Sequence, residues 1–247
     1  MNVRIGALVM SVCLVGGCTW AGGDGRDRNP DNQPRYVTGR DDSEHREIPH
    51  RVRGDGDATV FQLVNGTDVV RVRLGDLGTD RYEVSTPDNS RVVPAVTVQG
   101  GEIVAGVRDS GAAGPAVVDV VLSSSVRWQI RLAGGAADSA VDLTGGPGGD
   151  VDFSAGTARA AVTLPAGKGT QRVVLGGGAG TFSVRLGGDE PVRVRAGGGA
   201  GSVTIDGKTH GGVSGGTVWA PANWQAATDR YDIDATAGVS SIAVSRG

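Results

Sequence analysis

Hydrophobic and polar residues alternate one by one over several short stretches after residue 57. Val70, Val72 and Leu74 alternate with arginines, and the same period of two recurs over 126–132, 182–186 and 192–195. This period is typical of half-buried β-strands with one face in solvent. Gly, Asn, Asp and Pro separate the stretches, as they do in turns. The pattern predicts a single all-β domain over 58–247.

The second half of the chain repeats a unit of about 20 residues. Each unit runs from an apolar residue through small residues to a second apolar residue nine positions later. The units start at Leu132, Phe153, Leu175, Val194 and Ile233, which lie 21, 22, 19 and 39 residues apart. Short strands and small-residue corners at this period predict a single-sheeted β-helix, a β-solenoid with one coil per repeat. A β-sandwich with regular turns is the alternative.

The long last interval contains an irregular, aromatic segment. Trp219 and Trp224 lie in it, and Tyr231 follows. Because the end coils of a solenoid need caps, we expect these aromatic residues to form one. A platform on which sugars stack is the alternative.

Composition excludes two classes of protein. The chain has 247 residues, 43 of them glycine, and a formal net charge of -3. This charge argues against a basic nucleic-acid-binding protein, and the glycines lack the three-residue period of collagen. We expect no nucleic-acid partner.

The first 18 residues resemble a bacterial lipoprotein signal. Arg4 precedes an apolar stretch over 5–15, too short for the roughly 20 residues that span a bilayer, and Val15-Gly16-Gly17 leads directly to Cys18. The pattern predicts a signal peptide over 1–17 and a diacylglycerol on Cys18. A plain secretory signal is the alternative. Cys13 lies in the removed segment, so Cys18 is the single cysteine of the predicted mature chain.

The segment 18–57 is predicted to be a disordered, charged tether. Charges of both signs are dense and large apolar residues are few, so the segment cannot bury enough surface to offset the entropy of ordering. His45 and His50 lie here, and we interpret them as solvated. The predicted location is extracytoplasmic, at the cell membrane.

Two motifs suggest chemistry that we do not adopt. Gly212-Val213-Ser214-Gly215-Gly216 matches the nucleophile pattern of hydrolases, with His210 and Asp206 nearby, but no helix is predicted after it, as that motif requires. The run 145–152 resembles one calcium-binding repeat with Asp150 and Asp152, whereas such sites lie between stacked copies. We predict no catalytic residues, no metal and no cofactor.

Outward-facing arginines form the candidate interaction surface. Guanidinium groups suit the oxygens of phosphates and uronates, although a solvated face is the simpler interpretation. The five arginines that the alternation turns outward are Arg127, Arg131, Arg185, Arg193 and Arg195.

The stretch from Val126-Arg127-Trp128 to Ser241-Ile242 resembles a bacterial, mostly actinobacterial, family of cell-surface proteins. These proteins are related to the putative adhesin domain and to the C-terminal "toast-rack" domain of LiaF-type envelope-stress proteins. The resemblance covers about 58–246 and implies a β-solenoid without assigned enzymatic activity. It carries over no functional residues.

These observations together predict a non-enzymatic, adhesin-like lipoprotein of the cell envelope. An accessory component of an envelope-stress sensor and a carbohydrate-active parallel β-helix enzyme are the alternatives. The expected partners are the membrane, through Cys18, and a cell-wall polymer or an envelope protein. Self-association through the unpaired strands at the solenoid ends is a further expectation.

Overall fold

The computed structural model describes residues 49–247, which form two β-sheets and no helix. The all-β prediction is confirmed. Within this described range no helix is long and apolar enough to cross a membrane. The signal peptide, Cys18 and most of the predicted tether lie outside the described residues.

Nineteen strands make up the two sheets. Their bounds are β1 Arg51–Gly54, β2 Val60–Leu63, β3 Thr67–Gly75, β4 Tyr82–Ser85, β5 Val92–Gln99, β6 Glu102–Asp109, β7 Val117–Ser123, β8 Trp128–Leu132, β9 Ala136–Asp142, β10 Gly149–Phe153, β11 Thr157–Leu164, β12 Thr170–Leu175, β13 Ala179–Leu186, β14 Val192–Ala196, β15 Ala200–Ile205, β16 Lys208–Val213, β17 Thr217–Trp219, β18 Arg230–Ala235 and β19 Val239–Arg246.

Sheet A has ten strands in the order β1-β4-β7-β3-β9-β11-β13-β19-β15-β16, and sheet B has nine in the order β17-β14-β18-β12-β10-β8-β2-β6-β5. From β8 to β13 the chain alternates between the sheets, and each strand pairs in parallel with the strand two places later. Each coil therefore contributes one strand to sheet A and one strand to sheet B. The single-sheeted form of the prediction is wrong, because the corner within each coil separates its two strands into different sheets.

One apolar core lies between the sheets. The alternation predicted the inward residues correctly: Val162, Val184 and their equivalents are buried on sheet A, and Ile130 and Val173 are buried on sheet B. Phe153 of sheet B meets Phe182 of sheet A edge to face, with ring centroids 6.4 Å apart. Burial of these apolar faces is the main favourable contribution to the fold.

The order of the coils in space differs from their order in the sequence. The last coil, β18–β19, lies between the coil of β12–β13 and that of β14–β15. In sequence order, the end coil β14–β15 therefore comes first, and the coil β18–β19 that lies inside it comes last. This order accounts for the 39-residue interval between the last two predicted units. Near the other end, β2–β3 lies between β6–β7 and β8–β9, although it precedes both of them in the sequence.

The pairing also corrects the alignment of the repeats. Leu132, Phe153 and Leu175 are equivalent, as predicted. The equivalents of Leu175 in the last two units are Ala235 and Ala196, two residues beyond the predicted Ile233 and Val194. A slip of two residues keeps every side chain on its own face, so the hydrophobic pattern does not detect it.

A sixth repeat unit was not recognised from the sequence. Leu63 pairs with Leu132, and Val72 pairs with Val141. The nine-residue spacing of the later units was therefore already present at Leu63 and Val72. It lies far before the other units in the sequence, because the strands between them belong to other parts of the stack.

Glycines at the corners allow neighbouring coils to touch through their backbones. A Cβ atom on Gly134 would overlap the carbonyl oxygen of Asn65, and one on Gly177 would overlap the backbone of Ala155. Gly134 and Gly177 are therefore required at these corners, because the backbone of the neighbouring coil leaves no room for a side chain.

The ordered domain begins before the predicted boundary at residue 58. Strand β1, Arg51–Gly54, lies within the segment predicted as a tether and pairs antiparallel with β4. Arg51 and Arg53 form ion pairs with Glu83, whose side chain is mostly buried. Gly54 lies against the Tyr82 ring, where a Cβ would be 2.6 Å from the phenol oxygen. These contacts hold the basic segment on the sheet together with Val52, which is partly buried against the core.

Candidate binding faces

The outer face of sheet B is a ladder of alternating charges. One row across the strands reads Asp150, Arg172, Asp232 and Arg193, and the next reads Arg131, Asp152, Val174, Asp234 and Arg195. Each opposite pair lies on neighbouring strands, where side chains are close enough to interact. We call this surface the sheet B ladder.

Asp232 is the centre of the sheet B ladder and is only 4% exposed. Its two carboxylate oxygens accept hydrogen bonds from Nε and Nη2 of Arg193, at 2.9 and 2.7 Å. Arg172 Nε lies 3.6 Å from the same carboxylate. A paired fork of this kind is among the stronger polar contacts in proteins.

Arg193 also lies on an aromatic ring. Its guanidinium carbon is 3.9 Å from the ring centroid of Trp224, and that of Arg230 is 4.6 Å from it. The Trp224 indole nitrogen donates to the carbonyl of Tyr231 at 2.8 Å. Trp224 is 9% exposed and Tyr231 is fully buried, so neither presents a ring on which a sugar could stack.

Burial raises the pKa of the Tyr231 hydroxyl, and the neighbouring Glu190 carboxylate raises that pKa further. The hydroxyl donates to the carbonyl of Pro165 at 2.8 Å. Tyr231 therefore remains protonated and ties its strand to the corner after β11. Trp219 lies in the edge strand β17 and packs against His210, with ring centroids 5.3 Å apart, as expected of a capping residue.

The outer face of sheet A has a different composition. One row across its middle strands reads Arg71, Ala140, Ala161, Ser183, Ala243 and Thr204. A parallel row reads Arg73, Asp142, Thr163, Arg185 and Ser245. Small and hydroxylated residues thus occupy positions that carry charges on sheet B.

One ion pair continues the row of small residues at its Arg71 end, and a second lies beside the row. Arg71 Nη1 is 3.2 Å from Asp119. Arg159 is bound through two nitrogens to Asp138, with Nη2 at 2.6 Å. The hydrogen bond from Arg159 lowers the pKa of the Asp138 carboxyl below its usual range.

The five arginines predicted to form an interaction surface do not lie on one surface. Arg127, Arg131, Arg193 and Arg195 lie on the sheet B side, and Arg185 lies on sheet A. Arg127 donates to the carbonyls of Lys168 and Thr170. These five arginines therefore do not form a single basic stripe.

The carboxylates opposite these arginines were not recognised from the sequence. Asp232 and Asp234 alternate with apolar residues, as do Arg193 and Arg195. The matching alternation of the two segments was the sequence signal that could have indicated their pairing. The two strands face each other because β18 is inserted beside β14, and the sequence order does not indicate that.

The motifs set aside in the sequence analysis lie in turns or in the sheet B ladder. Ser214 is in a turn between β16 and β17, and no helix follows it in the described range. Asp150 accepts a hydrogen bond from the backbone of Arg172, and Asp152 accepts one from Ser154. Among residues 49–247 no three His, Cys, Asp or Glu side chains gather in a geometry suited to a metal ion.

The fold is similar to that of a solved structure. No protein-family model and no curated protein sequence matches this chain. A "putative cell adhesion protein" from Clostridium sporogenes superimposes with a TM-score of 0.56 at 15% identity, over 81% of this chain and 100% of that one. A "putative adhesin" from Bacteroides fragilis matches at 13% identity over 78% of this chain and 96% of that one, with a TM-score of 0.24. The first likeness indicates a shared fold.

Proposed function

We propose that this protein is a non-enzymatic, adhesin-like module of the cell envelope. The observation that carries the proposal is the pair of broad, solvent-exposed sheet faces, which offer extended surfaces for contact. The hollows on these faces are open and are lined by strand side chains. The fold likeness to the cell adhesion protein from Clostridium sporogenes supports the same conclusion.

The carboxylates on sheet B support a non-catalytic interpretation. A glycosidase needs two carboxyl groups that can reach the substrate, one of them able to donate a proton. Asp232 and Asp234 both form ion pairs with arginines, and Asp150 forms one with Arg127. Carboxylates held in this way support the ladder instead of serving as acid and base.

A lipid on Cys18 is the second part of the proposal. A lipidated cysteine would hold the domain at the outer side of the cell membrane, with the charged segment before β1 as the connection. Multiple acyl chains on one residue anchor a protein far better than a single chain. The absence of a second cysteine in the predicted mature chain supports this use of Cys18.

Adhesion is tested by coating beads with the purified full chain and counting the bacterial cells that they retain. Retention above that of beads coated with heat-unfolded chain is the expected result. Equal retention by both kinds of bead contradicts the adhesin-like role.

Anchoring is tested separately by growing cells with an alkyne-labelled fatty acid. We expect the wild-type chain to be labelled and to fractionate with membranes. The Cys18→Ser variant should be unlabelled and released. Labelling that persists in Cys18→Ser contradicts the proposed anchor.

A further inference from the structure

We infer that the outer face of sheet A binds a linear anionic glycan, along a surface that we call the sheet A trough. Its floor is the row Ala140, Ala161 and Ser183, and its two sides carry charged residues. This inference rests on the proposed adhesin-like function and names the surface and the ligand class that would serve it.

The trough is a concave, continuous surface. One hollow of about 320 Å³ lies over β3, β9, β11 and β13, and a second of about 420 Å³ lies over the β3 side of the same face. Both hollows are lined by Arg71 and Ala140, so they are contiguous. Short floor side chains between long arginines produce this depth.

Two arginines on one side of the trough are available to a ligand. Within residues 49–247, neither Arg73 nor Arg185 lies within ion-pair distance of a carboxylate. They occupy one row, separated by Asp142 and Thr163. Three strand spacings of about 4.8 Å place their backbones roughly 14 Å apart. Two cations at this separation can contact two anionic groups of one extended chain.

Charge complementarity favours a polyanion on sheet A over sheet B. An arginine fork suits carboxylate and phosphate oxygens, and Arg73 and Arg185 have their forks free. On the sheet B ladder Arg172, Arg193 and Arg195 form ion pairs with Asp232 or Asp234. Among the arginines of that ladder in the described range, only Arg131 has no ion-pair partner. The ligand therefore belongs on the face that offers two arginines without an ion-pair partner among the described residues, Arg73 and Arg185.

The remaining side chains favour a glycan over a peptide. Hydroxyl groups of Thr163, Thr181 and Ser183 line or flank the trough and can exchange hydrogen bonds with sugar hydroxyls. A peptide strand would need a free sheet edge for backbone pairing, whereas the strands below the trough are paired on both sides. Recognition here must come from side chains alone.

The test measures binding of the full chain to three polymers by isothermal titration: polygalacturonate, linear poly(N-acetylglucosamine 1-phosphate) and neutral dextran. We expect one or both polyanions to bind, dextran not to bind, and affinity to fall as sodium chloride rises. Preference for polygalacturonate assigns the uronate, and preference for poly(N-acetylglucosamine 1-phosphate) assigns the phosphate. Equal binding of dextran, or no binding of either polyanion at low salt, overturns the inference.

Variants then locate the site. Arg73→Ala with Arg185→Ala should weaken polyanion binding at least tenfold, and Ala161→Trp should do the same by filling the floor without changing charge. The matched control is Arg131→Ala, because Arg131 also lacks an ion-pair partner in the described residues but lies on the sheet B ladder. We expect it to change affinity less than twofold. Equal losses in control and double variant overturn the assignment to sheet A.

The two proposals fail in distinguishable ways. If beads coated with the chain retain cells while neither polyanion binds, the trough inference is wrong and the adhesin-like role stands. If the beads retain no cells but the polyanions bind in the trough, the glycan site stands without the adhesive role. Failure of both assays removes both proposals.

Discussion

Sheet A and sheet B present outer faces that arise from the same alternation of residues but differ in how their arginines are used. On sheet B, aspartates on adjacent strands pair with Arg193 and Arg195, and Arg172 approaches Asp232. In the middle of sheet A, Arg73 lies between Val121 and Asp142, and Arg185 lies between Thr163 and Ser245. An outward arginine is therefore occupied only where a neighbouring aspartate comes within ion-pair distance, as it does for Arg193 and Arg195 but not for Arg73 beside Asp142.

Each sheet nevertheless holds one buried carboxylate between two arginines. On sheet B it is Asp232, in the middle of the face. On sheet A it is Glu83, near the edge strand β1, with Arg51 and Arg53. On sheet B the buried carboxylate therefore joins central strands. On sheet A it joins the edge strand β1 to β4, and Arg73 and Arg185 in the middle of the sheet remain available to a ligand.

Asp232→Ala should have the largest effect on stability. It removes the acceptor for Arg193 and leaves two arginines facing each other, and we expect a loss of about 2 kcal/mol, since charge-assisted hydrogen bonds contribute about that much. Urea unfolding measures the change. Asp119→Ala, which removes an exposed partner of Arg71, should cost less than about 0.5 kcal/mol. Equal losses of unfolding free energy in the two variants would show that ion pairs contribute equally to stability on the two faces.

Removal of both β1 arginines should have the next largest effect. Arg51→Ala with Arg53→Ala leaves the Glu83 carboxylate buried without its partners, and we expect a loss of about 1–2 kcal/mol. The control carries the same charge change on the middle of sheet A. Arg73→Ala with Arg185→Ala should remain within about 0.5 kcal/mol of wild type. A similar loss in both double variants would contradict the end-closing role of β1.

Val174→Lys should stabilise the protein by a smaller amount. Val174 lies between Asp152 and Asp234 on neighbouring strands, so a cation there would complete the sheet B ladder. Opposite charges across strands contribute about 0.2–1 kcal/mol. The gain should be present at low salt and absent in 1 M salt, measured by thermal unfolding. Thr163→Lys is the control, because Asp142 and Arg185 flank it with opposite signs; a salt-sensitive gain there would contradict the comparison.

The smallest effect concerns acid stability on sheet A. Because the folded pKa of Asp138 is lowered by the hydrogen bond from Arg159, its stabilising contribution is present above the unfolded pKa of about 3.9. The contribution is lost as pH falls through the folded pKa. Between pH 5 and pH 2 the wild-type midpoint temperature should fall more than that of Asp138→Asn. Identical falls would show that this exposed pair adds no acid sensitivity.

The sequence by itself determined the class of fold, the inward-facing residues and most of the repeats. Val72, Ile130 and Val184 alternate with polar neighbours, and this period alone places them in the core. The nine-residue spacing within each unit survives in the structure even where the predicted alignment slipped by two residues. These features depend only on residues close together in the chain.

Only the tertiary structure decided which coils are neighbours, and with them the chemistry of each face. Insertion of β18–β19 brings Asp232 and Asp234 beside Arg193 and Arg195, and insertion of β2–β3 brings Arg73 beside Asp142. Every coil presents a similar alternating edge, so local pattern cannot select its partners. The partners are chosen by long-range pairing, and this choice decides which charged residues lie beside each arginine.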